Sequence, residues 1–159
     1  MSSGRALPGR DPAVRAEVVH SSERTLITRL FLPGRTVIRK QPLGPDAERR
    51  VRHERSMLKR LQGVAGVAQL AEAPQDAESV VLDDAGSSSL AEAGRALTVA
   101  DLIGLGLGLG RAVAGMHHRG VMHRDITPAN IVVSGDGTPT LVDFALATSL
   151  AEIRPDFNQ

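Results

Sequence analysis

The chain has 159 residues, 42% of them hydrophobic, and a formal net charge of +1 at neutral pH. This composition is typical of a globular protein with a buried core rather than of a disordered chain. The nearly balanced charge argues against a nucleic-acid-binding protein. Because the sequence contains no cysteine, disulfide bridges and thiolate metal sites are excluded.

The sequence predicts neither secretion nor membrane insertion. Residues 1–12 are rich in Gly, Pro, Ser and Arg, so we expect a flexible leader, and they lack the apolar core of a secretory signal. The longest apolar run, 102–110, has nine residues between Asp101 and Arg111, whereas a bilayer span needs about twenty. We therefore expect a cytoplasmic protein with no membrane partner.

The first half of the chain reads as strands around one helix. Short β-like runs at 16–20, 25–32 and 36–40 predict an antiparallel meander with hairpin-length turns. Apolar residues then recur at helical spacing from about 46 to 62. Two further runs, 67–73 and 79–84, predict two more strands. The expected order is therefore three strands, a helix and two strands.

Small residues near 83–87 indicate a boundary, after which helical periodicity takes over. A helix from about 98 to 118 would place five apolar residues in one stripe: Leu102, Leu105, Leu109, Val113 and Met116. The stretch GLGLGLG within it cannot be a glycine-rich phosphate loop, because no G-x-G-x-x-G spacing fits. We expect a buried helix whose glycines permit close approach by neighbours.

The last third of the chain predicts a β-hairpin. The runs IVV (131–133) and TLV (140–142) lie on either side of a Gly-Asp-Gly turn. The second run opens a predicted final strand, TLVDFALAT, which extends to residue 148.

Five charged or amide residues follow one another along the chain in a distinctive order. The segment HRDITPAN carries Asp125 and, five residues later, Asn130. Asp143 follows eighteen residues after Asp125, while Lys40 ends a predicted strand and Glu54 lies on the first helix. A turn could use the Asp, Pro and Asn of HRDITPAN for backbone geometry alone. The joint order of all five residues favours chemistry instead.

This order resembles the protein kinase family, whose catalytic loop reads H-R-D-x-x-x-x-N and whose metal motif reads D-F-G. The resemblance implies a bilobal α+β fold. Its N-terminal lobe, residues 13–85, would contain a five-stranded antiparallel sheet and one helix. An incomplete helical C-terminal lobe would span residues 86–159.

The resemblance also implies roles for the charged residues, with ATP and Mg²⁺ as cofactors. Asp125 would accept or orient the proton of the attacking hydroxyl. Asn130 and Asp143 would offer oxygen ligands to Mg²⁺. Lys40 would bind the α- and β-phosphates, and Glu54 would pair with Lys40 and fix its position.

Further positions follow from the same resemblance. Leu82 matches the gatekeeper, and the hinge residues Asp83 and Ala85 would contact adenine through the backbone. His123 is expected to be a structural imidazole that stacks against Phe144, not an acid or base.

Four features depart from the family pattern. Residues Ser21, Ser22 and Glu23 stand where the family has a glycine-rich loop. Ala145 replaces the glycine of the metal motif, and Thr127 replaces the lysine of typical serine/threonine kinases. The sequence stops at Gln159, within the expected activation segment. The sequence resembles the kinase domain at the N-terminus of large bacterial signalling proteins that also carry ATPase and histidine kinase regions.

The sequence therefore predicts a protein kinase that transfers the γ-phosphoryl group of ATP to a protein hydroxyl, most simply Ser or Thr. The alternative is a catalytically impaired pseudokinase or regulatory fragment that binds nucleotide or a partner without turnover. A small-molecule phosphotransferase shares the H-x-D-x-x-x-x-N core. Expected partners are a protein substrate or downstream signalling domains, and no nucleic acid. The oligomeric state is left open.

Overall fold

The computed structural model of the protein describes residues 15–86, 88–92 and 96–152. Four strands form the main antiparallel sheet in the order β1-β2-β3-β4. Helix α1 packs against β3 and β4. These elements are β1 Arg15–Ser21, β2 Thr25–Leu32, β3 Arg35–Pro42, α1 Ala47–Arg60 and β4 Val80–Asp83. The predicted leader, 1–12, lies outside the described residues.

The expected α+β class and the first helix are confirmed, but the strand count is wrong by one. Residues 67–73 form only single bridges, at Val67 and Leu70, within a stretch that is described throughout. The side chain of Gln75 explains the difference. Its Oε1 accepts the Val81 N–H at 3.0 Å and its Nε2 donates to the Val81 carbonyl at 2.9 Å. The Val81 carbonyl also accepts the Ala71 N–H, and the Gln69 carbonyl accepts the Asp83 N–H, both at 3.0 Å, so pairing with β4 begins around Leu70. It does not continue as a strand, because the Gln75 side chain takes the Val81 N–H that the next backbone hydrogen bond would use.

The second half contains one long helix and two small two-stranded sheets, β5-β8 and β6-β7. Short 3₁₀ turns cover Pro128–Asn130 and Leu150–Glu152. The regular elements are α2 Val99–His118, β5 Val121–Met122, β6 Ile131–Val133, β7 Pro139–Leu141 and β8 Thr148–Ser149.

Helix α2 begins with a capping box, which explains its start. Thr98 Oγ1 accepts the Asp101 N–H at 3.2 Å, and Asp101 Oδ2 accepts the Thr98 N–H at 2.9 Å. The predicted β6–β7 hairpin is confirmed. The predicted final strand is too long, because β7 ends at Leu141 and Asp143 adopts a left-handed backbone with φ of 62°.

One apolar core crosses both halves of the chain. It combines residues of α1 and α2 with the segment that follows the β6–β7 hairpin, including Val51, Leu58, Leu61, Ala112, Met116, Leu141 and Phe144. The predicted lobe boundary after residue 85 stays a prediction, since this core is continuous across it.

The predicted apolar stripe of α2 is largely correct. Leu105 and Met116 are buried, and Leu109 and Val113 pack against the core. Leu102 is an exception, because 56% of it is exposed. Val99, Ile103 and Leu107 are likewise more than half exposed, so the N-terminal half of α2 is not the buried helix that the sequence predicts.

The glycines of α2 have different surroundings. A Cβ at Gly108 would lie 2.6 Å from Cγ of Pro139, so this glycine does permit the approach of β7. A Cβ at Gly104, Gly106 or Gly110 would meet no atom within 4 Å. A Cβ at Gly115, the fifth glycine of α2, would lie 2.7 Å from Cγ1 of Val64. The close-approach explanation therefore holds for Gly108 and Gly115 but not for the other three.

Helix α2 is also long and apolar enough, by length and composition, to cross a bilayer, and it is the one such helix among the residues described. Core helices of proteins outside membranes meet the same criterion. The absence of a membrane partner stays a prediction.

A matched pair of alanine substitutions tests the packing of α2. We expect Gly106→Ala to raise the free energy of unfolding by up to about 1 kcal/mol, because alanine favours helix and its Cβ meets open space. We expect Gly108→Ala to lower it by about 1–2 kcal/mol, because the Pro139 ring must move. Urea denaturation measures both, and equal effects would contradict this packing.

Candidate active site

A cleft of about 430 Å³ lies beside the main sheet. Two cross-strand rows of the sheet line it. The lysine row consists of His20, Ile27 and Lys40, and the hinge row consists of Arg29, Ile38 and Leu82. Residues opposite one another on neighbouring strands project to the same face, so each row presents its side chains together. The second half of the chain contributes Ala129, Asn130, Val132, Val142 and Asp143.

Lys40 is the centre of the charged cluster in this cleft. It is only 5% exposed, and its Nζ lies 2.9 Å from Glu54 Oε1 and 2.6 Å from Asp143 Oδ1. A buried ammonium group is costly unless opposite charges and hydrogen bonds compensate for the lost water. Here one carboxylate comes from α1 and the other from the segment after β7.

The helical spacing of α1 explains the position of Glu54. Val51, Glu54 and Leu58 occupy one face of the helix, and all three are buried. Glu54 Oε1 also accepts the backbone N–H of Phe144 at 3.1 Å. One carboxylate oxygen therefore joins α1 to β3 and to the segment that carries Asp143.

The charges in this cluster perturb one another. Burial alone would lower the pKa of Lys40, but the carboxylates of Glu54 and Asp143 outweigh burial and raise that pKa above its ordinary value. Burial likewise opposes ionisation of Asp143, yet the Lys40 charge and its hydrogen bond hold the pKa of Asp143 below the ordinary range. Both groups are charged at neutral pH.

The HRDITPAN segment forms a second cluster. Asn130 Nδ2 donates to the Asp125 carboxylate at 2.9 Å and to the Asp125 carbonyl at 3.0 Å. The Asp125 N–H donates to His123 Nδ1 at 3.2 Å, so His123 carries its proton on Nε2, which donates to the Val142 carbonyl at 3.0 Å. The ring of His123 meets Phe144 edge-on, with centroids 4.6 Å apart, as the resemblance implied.

The donor set suits a hard cation. Asn130 commits its Nδ2 to Asp125, and Asp143 Oδ1 accepts hydrogen bonds from Lys40 and the Ala145 N–H. This leaves Asn130 Oδ1 and Asp143 Oδ2 without a hydrogen bond to the described residues, and both residues line the cleft. Mg²⁺ typically takes one or two protein oxygens and completes its shell with phosphate and water.

Comparison with known proteins adds an independent finding to this geometry. The family model for the protein kinase domain matches residues 35–156. The chain belongs to the protein kinase domain family.

Several curated kinases share short stretches with this kinase domain. SNF1-activating kinase 1 of Saccharomyces cerevisiae is 50% identical over 32 residues, which cover 20% of this chain and 3% of the relative. Serine/threonine-protein kinase AtPK1/AtPK6 of Arabidopsis thaliana is 46% identical over 41 residues (26% and 9%). Serine/threonine-protein kinase AfsK of Streptomyces griseus is 36% identical over 50 residues (31% and 6%). The chain therefore matches less than a tenth of the length of each relative.

The structure brings most of the predicted site residues of the kinase domain to one cleft. Lys40, Leu82, Asp83, Ala85, Asn130 and Asp143 line it, and Glu54 reaches it through Lys40. Asp125 does not line the cleft but is joined to it by the hydrogen bond from Asn130. Ala85 forms no backbone hydrogen bond with the described residues. The roles assigned to these residues stay predictions.

A hinge clamp was not predicted from the sequence. Asp84 Oδ2 accepts hydrogen bonds from Arg29 Nε at 2.7 Å and Thr36 Oγ1 at 2.8 Å, and Arg29 also donates to the Gly86 carbonyl at 2.9 Å. Burial opposes ionisation of Asp84, but these donors lower its pKa below the ordinary value. The clamp fixes the backbone on both sides of Ala85. The clamp can be inferred only from the strand register, which places Arg29 beside Ile38 and Leu82.

The glycine-rich loop is replaced by a tight turn. Residues 22–24 connect β1 to β2, and Ser22 Oγ accepts the N–H groups of Arg24 and Thr25. Arg50 of α1 donates to the Arg24 carbonyl at 3.0 Å and to Thr25 Oγ1 at 3.2 Å. The turn is therefore attached to the same helix that carries Glu54.

Removal of one carboxylate tests the Lys40 cluster. We expect Glu54→Gln to lower the free energy of unfolding by roughly 3 kcal/mol. This is the lower end of the cost of breaking a buried ion pair, because Lys40 keeps its second partner, Asp143. The control is Glu48→Gln, which removes an exposed pair with Arg52 and should change stability by less than about 0.5 kcal/mol. Equal losses in urea denaturation would contradict a special role for Glu54.

The pH dependence of stability tests Asp143. A carboxylate whose pKa is lowered by folding adds stability that is present above its unfolded pKa and is lost as pH falls through the folded pKa. The ordinary value is 3.8, so the stability difference between wild type and Asp143→Asn should be constant near neutrality and shrink below about pH 4. Urea denaturation across this range measures it. A difference that stays constant to pH 2 would contradict the Lys40–Asp143 pair.

Proposed function

We propose that this kinase domain transfers the γ-phosphoryl group of ATP to a protein hydroxyl, with Mg²⁺ as cofactor. The observation that carries the proposal is the single ammonium group of Lys40, held between the carboxylates of Glu54 and Asp143 in a cleft beside the sheet. Phosphoryl transfer needs little covalent chemistry from the protein, so positioning and charge neutralisation dominate.

The chain's own residues would divide this task. Lys40 binds the α- and β-phosphates, and the hinge backbone around Ala85 binds the adenine edge. Asp125 accepts the proton of the acceptor hydroxyl while the hydroxyl oxygen forms a bond to the γ-phosphorus. The bond between the γ-phosphorus and the β-phosphate oxygen breaks at the same time, which releases ADP. Asn130 and Asp143 would hold Mg²⁺, which when bound would supply positive charge to neutralise the phosphate oxygens.

Serine or threonine is the acceptor that the relatives favour. AtPK1/AtPK6 and AfsK carry the description serine/threonine-protein kinase. Thr127 differs from the lysine that is typical of such enzymes. We further propose a cytoplasmic location and a protein substrate or an attached signalling domain as partner.

A regulatory, non-catalytic role is the second candidate, and one observation favours it. The β1–β2 turn has three residues, none of them glycine, where the family has a flexible glycine-rich loop. Side chains at Ser22, Glu23 and Arg24 keep the backbone farther from a phosphate than glycines would. Nucleotide binding without transfer would then be the function.

Transfer of a radiolabelled γ-phosphate from ATP to the protein itself or to casein tests the first candidate. We expect Asp125→Asn to reduce transfer about a hundredfold or more, because the general base is lost. Asp46→Asn, an exposed carboxylate at the start of α1, is the matched control and should transfer like wild type. Equal transfer by wild type and Asp125→Asn would contradict the proposed base.

Thermal unfolding with ATP and Mg²⁺ separates the two candidates. A ligand that binds only the folded state raises the midpoint of unfolding. A raised midpoint without transfer supports a regulatory role that binds nucleotide. An unchanged midpoint at millimolar nucleotide contradicts phosphoryl transfer and favours a regulatory role that binds only a partner.

A further inference from the structure

A β-bulge at the end of β1 changes which side chains face the cleft. Val18 pairs with Thr28 and His20 pairs with Ile27, so Val19 is an extra residue between two consecutive pairs. Neighbouring residues on a regular strand point to opposite faces of the sheet. Here Val19 and His20 both line the cleft. Bulges re-aim side chains in this way next to active sites.

His20 belongs to the row of the sheet that carries Lys40. His20 pairs with Ile27, and Ile27 pairs with Lys40, so the three side chains share one face. Neighbouring strands lie about 4.8 Å apart, which puts the His20 backbone roughly 10 Å from that of Lys40. The other row ends at Leu82 beside the hinge. His20 is therefore at the end of the cleft that would receive phosphates.

The imidazole of His20 is available to a ligand. Its side chain is exposed at the cleft and forms no hydrogen bond with the described residues. Glu92 lines the same cleft, but its carboxylate already accepts hydrogen bonds from the N–H and Oγ of Ser89, at 3.1 and 3.0 Å. These bonds, with a minor contribution from the charge of His20, lower the pKa of Glu92. The Glu92 carboxylate is therefore occupied by Ser89, whereas the His20 imidazole has no hydrogen-bond partner among the described residues.

We propose that His20 is a nucleotide-binding residue, whose imidazole N–H donates a hydrogen bond to a phosphate oxygen of ATP. This contact takes over part of the phosphate binding for which the short β1–β2 turn offers no glycine backbone. The inference rests on the proposed function, because it assumes that the cleft binds an adenine nucleotide.

Calorimetric titration of the full chain with ATP, ADP and adenosine, in the presence of Mg²⁺, tests the proposal. We expect His20→Ala to weaken binding of ATP and ADP about tenfold and to leave adenosine unchanged, because a hydrogen bond to a charged phosphate is lost. His20→Gln, which keeps an N–H donor, should restore part of the affinity. His117→Ala, an exposed histidine at the end of α2 and outside the cleft, is the matched control.

Three outcomes would overturn the proposal while leaving the proposed function intact. In the first, His20→Ala binds ATP as tightly as His117→Ala does. In the second, the affinity of His20→Ala falls by the same factor for adenosine as for ATP. His20→Gly could bind ATP more tightly than wild type, which would show that the imidazole obstructs the cleft. If wild type binds none of the three ligands, the proposed function fails together with this inference. Circular dichroism of each variant confirms that the sheet is folded.

Discussion

The buried ammonium group of Lys40 is the constraint on which the rest of the structure depends. At 5% exposure it has lost nearly all of its hydration, so it requires carboxylates at hydrogen-bond distance. Those carboxylates lie on α1 and after β7, far apart in sequence. The sheet, the first helix and the hairpin segment must therefore pack together before the charge is satisfied. Fold and site are stabilised by the same contacts.

The backbone around this charge is held in an unusual conformation. Arg124 and Asp143 are the non-glycine residues with positive φ in the part of the chain that the structure describes. Between their segments lies buried His123, which bonds to the Val142 carbonyl and packs against Phe144. Such strained residues persist where surrounding packing over-determines them, typically at functional sites. Here the imidazole aligns the Asp125 loop with the Asp143 segment.

Local patterns predicted much of this arrangement. The helical period of α1 predicted the first helix, and the resemblance carried by HRDITPAN and Asp-Phe-Ala implied that Lys40 pairs with Glu54 and shares a cleft with Asp143. Features that depend on register were not predictable. The Gln75 side chain takes the Val81 N–H that would continue a strand pairing, the Val19 bulge turns His20 into the cleft, and Arg29 clamps the hinge through a cross-strand row. Each depends on which residues face each other across strands, which a single sequence does not encode locally.

We propose that the Lys40 cluster forms a site for Mg²⁺ and a nucleoside triphosphate. A crystal structure with Mg²⁺ and a non-hydrolysable ATP analogue tests it most directly. The account predicts phosphate oxygens within hydrogen-bond distance of Lys40 Nζ and a metal ion between Asn130 Oδ1 and Asp143 Oδ2. An analogue bound elsewhere, or a Lys40 side chain withdrawn from both Glu54 and Asp143, would contradict it.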